Sequence, residues 1–323
     1  MIKVENLRRT FGPKVAVDGI SFEVERGEVL GFLGPNGAGK STTMRMITGF
    51  LTPCSGKISI GGFDVQENPI ASKKLVGYLP ENAPSYTDMT VQGFLGFTAE
   101  LRGYRGSEKL KRVNRVLEMC FLEPVRHQSI ETLSKGYKHR TCFAQSIIHD
   151  PDVLILDEPT DGLDPNQKFE VRNLIRRMGE KKAIIFSTHI LEEVEAVCSK
   201  AMIIDRGRVI ANGTPEELKM RSQRAGAVSL KVEKVSGESL KSELAKLSTA
   251  ERVVIEDETE TRTSALVVPK QKTMNGDFAK SIYNIATQAG WKIEQINTEA
   301  GKLDEVFREI TMPDTVEMTE PKA

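Results

Sequence analysis

The chain is poor in the features that define several whole classes of protein. Its four cysteines, Cys54, Cys120, Cys142 and Cys198, are scattered over 323 residues with no C-x-x-C pair. That excludes a disulfide framework and suits a reducing cytosol. Neither charge is in excess, with 45 basic and 45 acidic residues, so no net field points to nucleic acid or an anionic membrane as the main partner. No run approaches the roughly 18 to 20 apolar residues that span a bilayer. The opening MIKVENLRRTFG alternates like a strand and lacks the apolar core of a signal peptide. Sustained heptads, long internal repeats and low-complexity segments are also missing. What remains is a globular chain long enough for about two domains, and any membrane role must come through a partner.

Within that frame one segment is present in full. Gly34-Pro35-Asn36-Gly37-Ala38-Gly39-Lys40-Ser41-Thr42 fits the pattern G-x-x-x-x-G-K-[ST]. Its glycines allow a tight turn with N–H groups pointing inward at a β-phosphate, and a following helix presents its positive end to the same anion. Lys40 is placed to reach the β- and γ-phosphates, and Ser41 to hold Mg²⁺. A glycine-rich surface turn is the plain alternative. Context argues against it: Glu28 to Leu33 (EVLGFL) reads as a buried strand and Ser41 to Ile47 as a helix, so the loop joins strand to helix.

The first 220 or so residues alternate short apolar strands with helical patterns, as an α/β domain with a parallel sheet does. Candidate strands include Val153 to Leu156, Ala183 to Ser187 and Ala201 to Asp205. Between the last two, Ile190, Leu191, Val194 and Val197 fall at helical spacing, with Glu192, Glu193 and Glu195 assigned to the wet side. Pro165 opens a helix carrying Val171, Leu174, Ile175 and Met178 on one face. Periodicity lapses at Lys219 to Gly226, which reads as a basic, polar linker. Beyond it the order is strand (228–232), helix (239–247), strand (252–257), strand (262–268), helix (277–288) and strand (291–297), a ferredoxin-like split βαβ pattern. A last helix places Leu303, Val306, Phe307 and Ile310 on one face. The organisation expected is a nucleotide-binding domain over 1–220, a small α+β domain over 226–312 and a flexible tail over 313–323.

A second motif narrows the chemistry. Val153-Leu154-Ile155-Leu156 leads into Asp157-Glu158-Pro159-Thr160, a buried strand that ends in two carboxylates at the sheet edge where open α/β sheets bind ligands. Asp157 is placed to hold Mg²⁺ and Glu158 to polarise an attacking water. Two solvated acids after a strand would be the bland reading.

At this point residues 1 to 220 resemble the ATP-binding subunits of ABC transporters. Leu133-Ser134-Lys135-Gly136-Tyr137 is similar to the family signature, Asp161-Gly162-Leu163-Asp164 to its D-loop, and His189 after AIIFS to its switch histidine. Phe11 resembles the aromatic that stacks on adenine, with Val17 a second adenine contact. The resemblance implies a P-loop NTPase of ABC type, with a RecA-like core, a helical subdomain and an N-terminal β-subdomain, followed by the small ferredoxin-like domain. It also implies two ATPase subunits, as a homodimer or a heterodimer, sandwiching ATP. Ser134 and Gly136 of one subunit then face the γ-phosphate held by the other, and Asp164 of the D-loop is implied to be a further nucleotide-binding residue. Taken alone, Ser134 is an ordinary helix cap. His189 is implied to contact the γ-phosphate and orient the water.

Two departures mark the branch. The signature reads LSKGY, so Lys135 and Tyr137 replace a glycine and a glutamine, a variant familiar in ABC-2-type exporter ATPases. Glu81 stands where most members carry a glutamine that touches Mg²⁺ or the water; a carboxylate there adds negative charge beside Glu158. Trp291-Lys292-Ile293 and Leu303-Asp304-Glu305-Val306-Phe307 resemble the ends of subunits from drug, polysaccharide or gliding-motility systems, with Lys302 in place of a capping serine. Together these imply an ATPase that powers a separate multi-span permease, as an exporter, from the inner face of the cell membrane. An importer ATPase and a soluble ABC ATPase acting on ribosomes or DNA are the alternatives; the neutral charge gives the latter no nucleic-acid footprint.

Overall fold

The computed structural model describes residues 1–82, 85–272 and 276–311. The tail expected over 313–323 lies outside the described residues. The chain divides into two compact units, Met1–Pro215 and Glu216–Ala323.

In the first unit the apolar runs form strands buried on both faces. These are β3 (Val29–Leu33), β7 (Val153–Asp157) and β8 (Ala183–Thr188), each buried along its whole length. Continuous burial suits parallel strands covered by helices on either side, where no alternation is needed. With β6 (Val76–Leu79), β9 (Lys200–Asp205) and β10 (Arg208–Gly213) they make a sheet of order β10-β9-β3-β8-β7-β6. All pairs are parallel except β10 with β9. A second, antiparallel sheet has order β2-β1-β4-β5. It is built from β1 (Ile2–Phe11), β2 (Lys14–Val24), β4 (Ser55–Ile60) and β5 (Phe63–Asp64). Phe22 of β2 meets Phe32 of β3 edge-on at 5.1 Å, one of the contacts that joins the two sheets in a single core.

The helices of this unit are α1 (Lys40–Ile47), α2 (Pro69–Leu75), α3 (Val91–Leu101), α4 (Gly106–Met119), α5 (Lys135–Ile147), α6 (Pro165–Gly179) and α7 (Leu191–Val197). Helices α3, α4 and α5 pack on one another as the helical portion. Thr90 caps α3 by accepting from the Gly93 N–H. Phe94 of α3 is buried, whereas Tyr86 is exposed and lies against Phe94 and Phe97. Among the described residues no helix is long and apolar enough to cross a membrane.

The sheet order decides where the site lies. β8 pairs with β3 through Leu33↔Thr188 and with β7 through Asp157↔Ser187, so the last residues of three strands end side by side. The loops that leave them share one edge, the place where parallel sheets bind ligands.

The second unit carries β11 (Val228–Glu233), β12 (Ala250–Glu258), β13 (Arg262–Pro269) and β14 (Lys292–Thr298) in the order β12-β13-β11-β14. All its pairs are antiparallel, giving the ferredoxin-like arrangement with α9 (Gly237–Leu244) and α10 (Asp277–Gln288) as crossovers. Helix α8 (Pro215–Lys219) precedes it and α11 (Leu303–Ile310) follows. Lys302 gives α11 no side-chain cap. The stretch 219–226, expected as a basic, polar linker, is held by specific contacts. Ser222 and Ala225 are fully buried, Ser222 Oγ donates to Glu305 Oε2 at 2.6 Å, and Arg224 pairs with Glu256 at 2.7 Å.

Candidate nucleotide site

The loop between β3 and α1 is fixed by backbone geometry that only glycine supplies. A Cβ on Gly34 would collide with the Ile204 carbonyl, and one on Gly39, at φ 107°, would lie 2.5 Å from the Ala16 carbonyl oxygen. Gly39 then hands over to α1, whose first-turn N–H groups have no side-chain cap. Such an end is a ready anion acceptor. Lys40 is almost fully buried and donates from Nζ to the carbonyls of Gly34 at 2.7 Å and Pro35 at 3.1 Å, so the ammonium lies over the loop. Burial holds its pKa below the usual lysine value, while Glu158, Asp157 and Glu81 pull it back up.

These residues border a cleft of about 550 Å³. Asn36 to Thr42 line it, Phe11 sits at its rim, and Glu81, Glu158 and His189 line it too. The carboxylates differ in setting. Asp157 is buried and accepts from Ser187 Oγ at 2.5 Å. Glu158 occupies the left-handed region at φ 51°, a conformation that costs a non-glycine residue on the order of 1–2 kcal/mol. It is held there because its N–H donates to both the Ser187 carbonyl, at 3.2 Å, and Ser187 Oγ, at 3.0 Å. The turn directs the Glu158 side chain at the cleft, where His189 Nδ1 lies 3.1 Å from Oε2. Burial raises the Glu158 pKa, opposed by the His189 contact and by Lys40. A carboxylate so placed is a stronger base than a solvated one.

The remaining expected residues lie elsewhere. Val17 is wholly buried behind the phosphate loop, and Ala16 and Lys14 line the cleft instead. Gly34 and Pro35 act through their carbonyls on Lys40. Ser134 caps α5, accepting from the Tyr137 N–H, and is exposed. Gly136 is packed so closely on α6 that a Cβ would meet Gln167 Oε1 at 2.5 Å. Asp164 caps α6, accepting from the Gln167 N–H at 2.9 Å. Neither Ser134, Gly136 nor Asp164 borders the phosphate cleft of its own chain. Lys135 instead pairs at 2.8 Å with Asp161, which does line it and whose carboxyl it holds below the usual range.

One acid was misplaced by polarity. Glu193 is fully buried, not solvated as Glu192 and Glu195 are. Its signal was in the spacing: 190, 193, 194 and 197 fall at i, i+3, i+4 and i+7, so Glu193 belongs to the buried stripe of α7. The other overlooked group is the Ser187 hydroxyl, hidden because it ends an apolar strand.

A divalent cation fits the donors that are present. The Ser41 hydroxyl and the Asp157 and Glu81 carboxylates are hard oxygen ligands of the type Mg²⁺ takes. Among the described residues no group of three His, Cys, Asp or Glu is placed to hold a metal ion.

Comparison with known proteins agrees with this geometry. A family model described as "ABC transporter" matches residues 17–161. The chain is 37% identical over 219 residues to the linearmycin resistance ATP-binding protein LnrL of Bacillus subtilis, covering 68% of this chain and 70% of that one. It is 38% identical over 219 residues to the Nod factor export ATP-binding protein I of Ralstonia nicotianae, covering 68% of each. A solved structure of an ATP-binding subunit of an ABC transporter superposes with a TM-score of 0.64 at 30% identity, covering 68% of this chain and 92% of that one. With its phosphate loop, carboxylates and histidine on one sheet edge, the chain belongs to the ATP-binding subunits of ABC transporters and is an ATPase.

Proposed function

We propose that this subunit powers an ABC-2-type exporter through a separate multi-span permease, working as a dimer on the inner face of the cell membrane. The observation that carries the hydrolytic part is the Glu158–His189 contact at the cleft that Lys40 also lines. In this reading the N–H groups of 36–41 and Lys40 hold the phosphates, with Thr42 beside them. Phe11 stacks on the base, and Lys14 adds a cation at the same rim. Ser41, Asp157 and Glu81 hold Mg²⁺, which supplies positive charge to the phosphates. Glu158 takes a proton from the attacking water, and His189, tied to its carboxylate, orients it and meets the γ-phosphate. Two relatives whose names report resistance and export support the export direction.

Ser134 and Gly136 lie away from the cleft of their own chain, as residues completing a partner's site would, whereas Asp164 caps α6 outside that cleft. The exposed cap Ser134 offers a hydroxyl, and the α5 end its N–H groups, to a phosphate from a second copy. The second unit is assigned dimer support or regulation. The test is affinity purification of tagged Glu158→Gln in detergent with MgATP, followed by mass spectrometry. Retention of a multi-span membrane protein only with ATP is expected; ribosomal or DNA-associated proteins in its place would overturn the reading.

A further inference from the structure

The ends of β7 and β8 are joined behind the cleft by one buried carboxylate. Glu193 of α7 has no solvent exposure. Its Oε1 accepts from Thr160 Oγ1 at 2.6 Å and from Arg172 Nη2 at 3.0 Å, with Lys168 Nζ at 3.9 Å. Its Oε2 accepts from Thr188 Oγ1 at 2.9 Å. Both threonines are buried. Thr160 follows Glu158 by two residues and Thr188 immediately precedes His189. The Thr188 hydroxyl also accepts from the Ile190 N–H at 3.0 Å, so it grips the backbone on the far side of His189 as well.

We propose that Glu193 is a positioning residue for hydrolysis: one carboxylate sets the spacing between the Glu158 turn and the His189 turn. The inference rests on the reading of Glu158 and His189 as the hydrolytic pair. The side chain is fully buried and does not line the cleft. Its two oxygens divide the work, one to each strand end, and Arg172 balances the charge from α6. A carboxylate is suited to this because it accepts at both oxygens, whereas an amide presents NH2 on one side, so one threonine hydroxyl must turn from donating to accepting and its other hydrogen bonds must adjust. If the carboxylate is lost, Glu158 and His189 move by fractions of an ångström while the phosphate loop, on β3 and α1, stays as it is.

The test is a double-mutant cycle with steady-state ATPase, MgATP binding and thermal unfolding measured on the full chain. Glu193→Gln is expected to lower kcat by about 10- to 100-fold, the scale of a small misplacement of reacting groups, with the Kd for MgATP within about twofold of wild type. His189→Ala combined with Glu193→Gln is expected to be little slower than His189→Ala alone, because both act on one arrangement. Should Glu193→Gln fail to fold, Thr188→Val against Thr188→Ser carries the same test: the valine variant loses kcat at unchanged Kd, and the serine variant, which keeps the hydroxyl, recovers it. Wild-type kcat in Glu193→Gln, losses that multiply in the double mutant, or equal behaviour of the two Thr188 variants would each refute the inference. A wild-type rate that Glu158→Gln leaves unchanged would instead remove the hydrolytic assignment beneath it.

Discussion

The two units of this chain are built from the same kinds of element and treat charge in opposite ways. In the first, Lys40, His139, Arg140, Asp157 and Glu193 are buried. In the second, the buried polar side chains among the described residues are hydroxyls only, Ser222, Thr263 and Ser264. Its charges pair at or near the surface, as in Lys292–Glu233 and Arg224–Glu256, both at 2.7 Å. Exposed pairs contribute on the order of 0–1 kcal/mol. Burying an ion costs several kcal/mol unless partners compensate, so it persists where a charge is needed in a dry place. The difference shows where chemistry resides without reference to any motif.

The sharpest way to break that comparison is to neutralise one acid in each unit. Glu158→Gln is expected to lower the rate of phosphate release by about 10²- to 10⁴-fold while MgATP still binds, the range for losing a general base. Glu256→Gln, an exposed-pair acid of the second unit, is expected to leave that rate within about twofold, in line with the small worth of such a pair. Comparable losses in both would abolish the distinction. A core substitution sharpens it from the other side. Ile282 is fully buried in the second unit, and Ile282→Ala is expected to cost about 2–5 kcal/mol of stability in denaturant melts, with kcat per folded subunit unchanged.

Lys135 tests a smaller effect in the first unit. Its ammonium pairs with Asp161 on the cleft wall. Lys135→Gln leaves that carboxylate uncompensated where phosphates bind, and is expected to weaken MgATP binding by up to about fivefold. Raising the ionic strength should shrink the loss, and Lys135→Gln with Asp161→Asn should reverse it. Isothermal titration of the wild type and these two variants measures this; a loss unaffected by salt would mean that Lys135 acts by packing on Gly162 instead.

How far the site was legible follows from how local each signal is. The phosphate loop, the Asp157-Glu158 pair and the position of His189 are short patterns after apolar strands, and the sheet order brings all three to one edge. Val17 was read as an adenine contact, but it points into the core, where Ala16 replaces it at the cleft. Glu193 was assigned to solvent because polarity outweighed spacing; its partners Thr160 and Arg172 are 33 and 21 residues away and leave no local trace. Helix α9 spans Gly237–Leu244, beginning two residues before the helix the sequence predicts over 239–247. Ser236 caps that helix by accepting from the Ser239 N–H, and the Gly237 N–H donates to Glu258. Likewise 219–226 reads as a basic, polar linker, and its composition does not reveal that Ser222 and Arg224 find acids 83 and 32 residues on.

The smallest expected effect concerns stability, and it turns on the sign of one shift. Burial raises the folded-state pKa of Glu158 above its unfolded value. The folded state therefore binds that proton more readily, and stability from this group is fully present below the unfolded pKa, about 4.3, and lost as pH rises through the folded one. At neutral pH the ionised Glu158 is a net cost to folding, offset in part by His189 and Lys40. Glu158→Gln removes that cost, so the same substitution that stops turnover should raise the melting temperature of the first unit near neutral pH. The gain should shrink as the pH is lowered toward the unfolded-state pKa, because the wild-type carboxyl in the folded state takes up its proton first. A melting series of both proteins across that range measures it, and a gain that grew on acidification would mean that the Glu158 pKa is depressed by His189 rather than raised by burial.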